Sequence, residues 1–159
     1  MVEDSPLSGH VAVPRLVYRY AELIDSGDFA GVGELFAYAV IQVQETGAEY
    51  VGRDQVQAMY QDWVRIYPDN GTPHTRHVTT NLMLDVDDAE GRATCRSYVT
   101  VFQCTESLPL QPILSGRYYD TFQRRGGAWR FERRRMTNEY LGDLSHHLLH
   151  EFTDRAPPP

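Results

Sequence analysis

The run RHVTTNLMLDVDDAEGRATCRSYV, Arg76 to Val99, decides how this chain folds. From His77 to Val86 apolar and polar residues alternate, the period-two pattern of a strand with one buried face. Asp87-Asp88-Ala89-Glu90-Gly91 then supplies turn residues. From Arg92 to Gln103 the alternation resumes, with Ala93, Cys95, Ser97, Val99 and Val101 on one side. Two long strands around a short polar turn make an antiparallel pair. The odd feature is the start. An ionisable ring, His77, opens a strand where an aliphatic residue would be safer, and His74 stands three positions before it.

The pattern continues downstream. Ile113–Arg124 and Ala128–Met136 alternate as strands around Arg125-Gly126-Gly127, a good hairpin turn. Upstream the period changes. Val13, Leu16, Val17, Tyr20, Leu23 and Ile24 recur at three- and four-residue steps, which is an amphipathic helix from Val11. Ser26-Gly27-Asp28 ends it, with Gly27 in a natural C-terminal position. Asp28 is placed to cap a second, short helix over Phe29–Phe36. Tyr38–Glu45 alternates like a strand. A third helix over Gln55–Ile66, capped by Asp54, gathers Val56, Met59, Tyr60, Trp63 and Val64 on one face. Asn138–Phe152 reads as weakly helical, with His146, His147 and His150 as solvated residues. Residues 1–10 read as a flexible leader, 153–159 as a disordered end, and 11–152 as one domain.

Helices and strands are segregated, so the fold class is α+β. A curved mixed or antiparallel sheet with three helices over one face makes a cone. Such a cone leaves a cavity between its layers, where small ligands sit.

The bulk numbers narrow the partners. A chain of 159 residues fits one domain. A net charge of −7 argues against a nucleic-acid partner, because a phosphate backbone repels an acidic chain. The basic triplet Arg133-Arg134-Arg135 is local and lies inside a strand pattern. No apolar run reaches the ~18 residues of a membrane span, and MVEDSPLSGH lacks the order of a signal peptide. Cys95 and Cys104, nine positions apart, form no CxxC pair and read as reduced thiols. A cytoplasmic protein without a membrane partner is expected. Ten tyrosines suit a pocket that is greasy but not dry.

Several stretches together carry a resemblance. YAELIDSGDFAGVGELF (Tyr20–Phe36) ends the first helix on an Asp-Ser-Gly-Asp turn, and GRDQV (Gly52–Val56) opens the third. RHVTTNLMLDVDDAEGRATCRSYV starts two strands, and GRYYDTFQRRGGAWRFERRR (Gly116–Arg135) forms the closing hairpin. From Val11 to Met136 the chain resembles the nuclear transport factor two-like superfamily, in particular its SnoaL-like branch of polyketide cyclases, dehydratases and isomerases. The scytalone and bile-acid dehydratases of that superfamily keep a Tyr and an Asp near the end of the first helix, which Tyr20 and Asp25 match. They keep a His early in the strand after the third helix, which His77 matches. Ser97 falls where scytalone dehydratase has a second histidine, a departure that removes half of that enzyme's acid–base pair. Tyr118 falls at its strand asparagine. Arg134 is a family-matching position that would reach an anionic substrate group. The resemblance also implies a homodimer paired through the outer face of the sheet.

Asp25 and His77 are the central candidates. A carboxylate beside an imidazole fixes its tautomer and raises its basicity, which makes a proton shuttle near neutral pH. Tyr20 and Tyr118 would bind a carbonyl oxygen and stabilise an enolate. Such a set can expel water, shift a double bond or close a ring, with no metal and no organic cofactor. Asn81, on the His77 face two pleats on, and Ser97 and Asp120 are further candidate contacts to a small-molecule substrate. Each residue also has a quieter role open to it. Asp25 can bond backbone at a helix end, Tyr20 can fill core, His77 can be a satisfied structural histidine, and Arg134 can pair with Glu132 or Asp120. His74 and His77 make a poor metal pair, since residues three apart on a strand face opposite sides. The expected protein is a small cofactor-independent enzyme acting on a cyclic or polyketide-like carbonyl compound. Two rivals stand beside it: a non-catalytic binding module with its hollow plugged by Trp63, Phe102 and Tyr119, and the small subunit of a ring-hydroxylating dioxygenase.

Overall fold

The computed structural model describes residues 7–151, and three helices precede or interrupt six strands. Helix α1 spans Gly9–Asp25, α2 Phe29–Leu35 and α3 Gly52–Trp63. The strands are β1 (Val40–Val43), β2 (Glu49–Val51), β3 (Thr75–Asp87), β4 (Arg92–Gln103), β5 (Gln111–Arg125) and β6 (Ala128–Leu141). They form one sheet in the order β2-β1-β6-β5-β4-β3. Only the β1–β6 pairing is parallel, so the α+β cone with a mixed sheet is the fold observed.

The helices form where the apolar stripes demand it. Val13, Val17, Tyr20, Leu23 and Ile24 of α1 are buried, as are Val56, Met59 and Tyr60 of α3. Asp28 caps α2 by accepting the Gly31 N–H at 2.8 Å. Gly27, at φ +75°, makes the left-handed reversal between α1 and α2. Helix α1 starts at Gly9, two residues inside the expected leader, because the Asp88 carboxylate accepts its first N–H at 2.9 Å. Residues 1–6 and 152–159, including the expected disordered end, lie outside the described residues.

Three of the sheet's four register shifts matter most for which side chains face the helices. In β3 the register shifts between Thr80 and Met83, so Thr75, His77 and Thr79 face inward before it and Leu82, Leu84 and Val86 after it. In β6 the extra residue is Glu132, since Thr121 pairs Arg133 while Phe122 pairs Phe131. That residue brings both Phe131 and Arg134 to the inner face although they are three apart. A third shift, at Ser115 and Gly116, brings the Thr137 carbonyl within 1.8 Å of where a Cβ on residue 116 would sit, so only glycine fits there.

Two expectations about elements are corrected. Glu49–Val51 forms a strand that was not expected, pairing antiparallel with β1. The tail is not helical: β6 runs on to Leu141, and the following segment crosses to the end of α3. There Val64 and Leu148 form a bridge, and Leu149 N–H donates to the Trp63 carbonyl at 2.9 Å.

Candidate active site

Asp25 is the last residue of α1, and His77 is the third residue of β3. The fold brings them into contact. Asp25 Oδ1 lies 2.6 Å from His77 Nδ1, and Asp25 Oδ2 accepts the His77 backbone N–H at 2.8 Å. The Thr75 hydroxyl donates to Oδ1 at 2.8 Å. Burial works to raise the Asp25 carboxyl, but the imidazole, the backbone N–H and the Thr75 hydroxyl together hold it below the usual carboxylate range. A carboxylate accepts only, so Nδ1 of His77 carries a proton and the tautomer this contact selects has its lone pair on Nε2. The quieter role expected of Asp25, bonding backbone at a helix end, is thus met by the same carboxylate that orients the ring.

The pair forms a partition. On its outer side is an open polar groove lined by Asp25, His77, Arg19, His74, Arg76 and Gln103. On its inner side is a cavity of about 160 Å³ between helices and sheet, which His77 lines and Asp25 does not. The inner wall is aromatic and aliphatic, with Tyr20, Tyr60, Trp63, Tyr118, Met136 and Leu144 among its residues. Trp63 therefore walls the hollow without plugging it. Phe102 lines the groove instead, and Tyr119 lies under the Arg135 guanidinium at 4.0 Å.

Three tyrosines supply hydroxyls. Tyr20 Oη and Tyr60 Oη are 2.8 Å apart, and the Tyr20 ring meets Tyr118 edge-on at 5.9 Å and His77 at 6.1 Å. Burial raises all three phenols, Tyr60 and Tyr118 the most, so they stay protonated as hydrogen-bond donors. Behind them lies Arg134, its Cζ 3.9 Å from the Tyr118 ring centre and 4.4 Å from that of Tyr20.

Arg134 and Asp120, both expected as substrate contacts, are engaged with each other. Nε and Nη2 of Arg134 donate to the two Asp120 oxygens at 2.8 Å each, and both side chains are fully buried. Burial opposes the guanidinium charge, but Asp120 holds Arg134 firmly protonated. Neither lines the cavity or the groove, so the expected anion contact is corrected to a sealed ion pair behind the tyrosines. Asn81 is corrected as well. It sits on the β3 bulge at φ +55°, exposed, and lines a third pocket away from His77. Ser97 lines that pocket too, buried, with its hydroxyl unpartnered. His74 leaves the strand face at φ +58°, bonds Asp69 at 2.9 Å and stacks on Tyr67. Among the described residues no group of three His, Cys, Asp or Glu side chains could hold a metal ion. The Cys95 thiol is pushed up to about 11 by burial, with the Asp120 charge adding, so it is not a thiolate.

Two cavity residues escaped the sequence reading. Tyr60 was legible only as part of the α3 stripe. His147 is 7% exposed, lines the cavity, and has no hydrogen-bond partner at Nδ1. Its one signal was spacing: Leu144, His147 and Leu148 recur at three and four, and all three line the cavity.

This chain belongs to the SnoaL-like domain family, whose model matches residues 6–135. No curated protein matches the sequence. Among solved structures it is similar to Rv3472, a protein of unknown function from Mycobacterium tuberculosis, at 26% identity and a TM-score of 0.67 over 83% of this chain and 72% of that one. It is similar to a putative scytalone dehydratase from Novosphingobium aromaticivorans at 22% identity and a TM-score of 0.67, covering 92% and 90%. ActVI-ORFA from Streptomyces coelicolor shares 16% identity at a TM-score of 0.65, covering 82% and 96%. The last two likenesses are of fold. No described helix is long and apolar enough to cross a membrane.

Proposed function

We propose that this protein is a cofactor-independent acid–base enzyme, a cyclase, dehydratase or isomerase acting on a small cyclic carbonyl compound. The observation that supports it most is the half-engaged imidazole. Asp25 takes Nδ1 at 2.6 Å and leaves Nε2 as the lone pair available to a guest in the cavity that His77 lines. A histidine held only for structure has no need of a hollow beside it.

His77 Nε2 removes a proton from the carbon next to the carbonyl, and the C–H electron pair moves through the new C=C bond onto oxygen. The imidazolium so formed is stabilised by the Asp25 carboxylate. The enolate oxygen is met by Tyr118 and the linked Tyr20–Tyr60 hydroxyls. The Arg134 charge behind two of these rings makes their O–H groups stronger donors. From the enolate, return of the proton at another carbon is isomerisation. Loss of a β-hydroxyl, protonated on departure, is dehydration. Attack on a second carbonyl carbon is ring closure. Size narrows the substrate: an apolar cavity of about 150 Å³ accepts a single benzene ring, and this one is about 160 Å³. One ring fits better than a fused polycycle.

Enolisation can be read without the natural substrate, as deuterium uptake next to the carbonyl of cyclohexanone in D₂O. His77→Ala should abolish it and leave the melting temperature within a few degrees. Equal uptake in that variant would remove His77 from the mechanism. Two copies pairing through the outer face, where Val78, Met83 and Tyr98 are exposed, would leave this cavity free. Sedimentation of the purified chain tests that pairing.

A further inference from the structure

The cavity has a wall that the family match does not reach. The match ends at residue 135, and His147 lies twelve positions beyond it. Between Gly142 and His150 the chain is pinned to the rest of the fold at several points. Arg65 N–H donates to the His147 carbonyl at 2.8 Å, and the Tyr67 hydroxyl and Gln103 amide donate to the His146 carbonyl at 2.6 and 3.0 Å. The Val64–Leu148 bridge and the Leu149–Trp63 bond complete the seam. The segment is thus fixed backbone, with Leu144, His147 and Leu148 turned onto the same hollow as His77.

A buried imidazole nitrogen without a partner, as Nδ1 of His147 is, is costly, because a polar group taken from water loses its hydrogen bonds. Leucine or phenylalanine would seal this wall without that cost. We propose that His147 is a second imidazole of the ligand site, one that hydrogen-bonds the substrate's oxygen while His77 handles the carbon-bound proton. This rests on the enolising reaction proposed above. His77 and His147 line the same hollow of about 160 Å³, so one small guest there has both rings in its wall. His147 stays neutral: burial pushes it down to about 4, with the neighbouring His77 adding and Asp25 opposing. A neutral ring offers one N–H and one lone pair. Its N–H polarises the carbonyl and then bonds the enolate oxygen, and no proton changes owner in that contact. The division of labour follows, since the ring paired with a carboxylate takes the proton and the unpaired ring stays uncharged beside it.

Two measurements on the full-length chain test this. His147→Phe keeps a ring of similar size and removes the nitrogens. It should lower cyclohexanone deuterium uptake about a hundredfold while the melting temperature holds. Uptake equal to wild type in His147→Phe, with His77→Ala inactive, overturns the proposal and leaves the enolising reaction standing. The second measurement is ¹⁵N-imidazole NMR of the wild type titrated with phenol, a one-ring hydroxyl probe. Phenol should shift the ring nitrogens of His147 together with those of His77. A His77 shift with His147 unmoved overturns the proposal, whether or not cyclohexanone is turned over. If wild type takes up no deuterium, the enolising reaction fails and the NMR result alone decides whether His147 belongs to the ligand site.

Discussion

Two carboxylates flank the tyrosine cluster, one paired with a guanidinium and one with an imidazole, and the pairs differ in access. Arg134 and Asp120 are fully buried and meet in a two-point contact behind Tyr20 and Tyr118. His77 and Asp25 keep 6% and 13% of their side-chain surface exposed, and their contact engages one ring nitrogen. The first pair is closed to any ligand. The second sits on a partition between a polar groove and a largely apolar cavity. Arg134 keeps Nη1 without a hydrogen-bond partner, yet neither residue of its pair lines the groove or the cavity. Access to a hollow, and not a spare nitrogen, separates the two pairs. His147 lines the same cavity as His77, with its Nδ1 unpartnered.

Asp120→Asn leaves a buried guanidinium without its counter-charge and should cost about 3–5 kcal/mol. Urea unfolding of the variant measures that loss. Joint replacement as Asp120→Leu with Arg134→Met should recover most of it, since no charge is then left alone.

The acid side of the stability curve comes next. His147 has a folded pKa of about 4, below its ordinary 6.5. The unfolded chain therefore binds its proton first as pH falls. Its contribution is complete above pH 6.5 and is lost toward pH 4. Over that span, at about 1.4 kcal/mol per tenfold change, the loss is roughly 3–4 kcal/mol. Asp25, with a lowered carboxyl, adds a further loss below its ordinary value near 3.8. Urea midpoints at pH 7, 5.5 and 4 should fall steeply in wild type and less steeply in His147→Phe.

Asp25→Asn sharpens the open pair. The amide cannot hold the Nδ1–H tautomer as a carboxylate does. Deuterium uptake from cyclohexanone should fall about a hundredfold, with a smaller stability change than Asp120→Asn. Tyr60→Phe is the mildest. It removes the 2.8 Å bond to Tyr20 and should cost about 1 kcal/mol in urea unfolding. A several-fold lower uptake would mark a loosened Tyr20 hydroxyl.

The architecture was legible because its signals are periodic. Stripes at three and four placed α1 and α3, and alternation placed β3 to β6, with ends moved by a few residues. The Asp25–His77 contact was reached through the family resemblance, and no single stretch announces it, since 52 positions separate the two. What stayed hidden was parity. Alternation assumes an unbroken pleat, and the bulge in β3 turned Asn81 outward. The strand β2 has only three residues, too few for a period to show. His147 was lost to a different cause. Leu144, His147 and Leu148 gave only a short three-and-four spacing, and the tail is held by bonds to the end of α3 and to the Gln103 amide of β4, which leave no mark in the sequence.

The extra residue at Glu132 has a consequence for how this chain tolerates changes of length. Removing it would restore the pleat between Phe131 and Arg133. Arg134, Met136 and Asn138 would then rotate to the outside and their neighbours would rotate in. The hairpin at Gly126-Gly127 has no such coupling: nothing lies within 4 Å of where a Cβ on either glycine would sit. Single-residue insertions and deletions should therefore be accepted at the tip of this hairpin and rejected five residues further along.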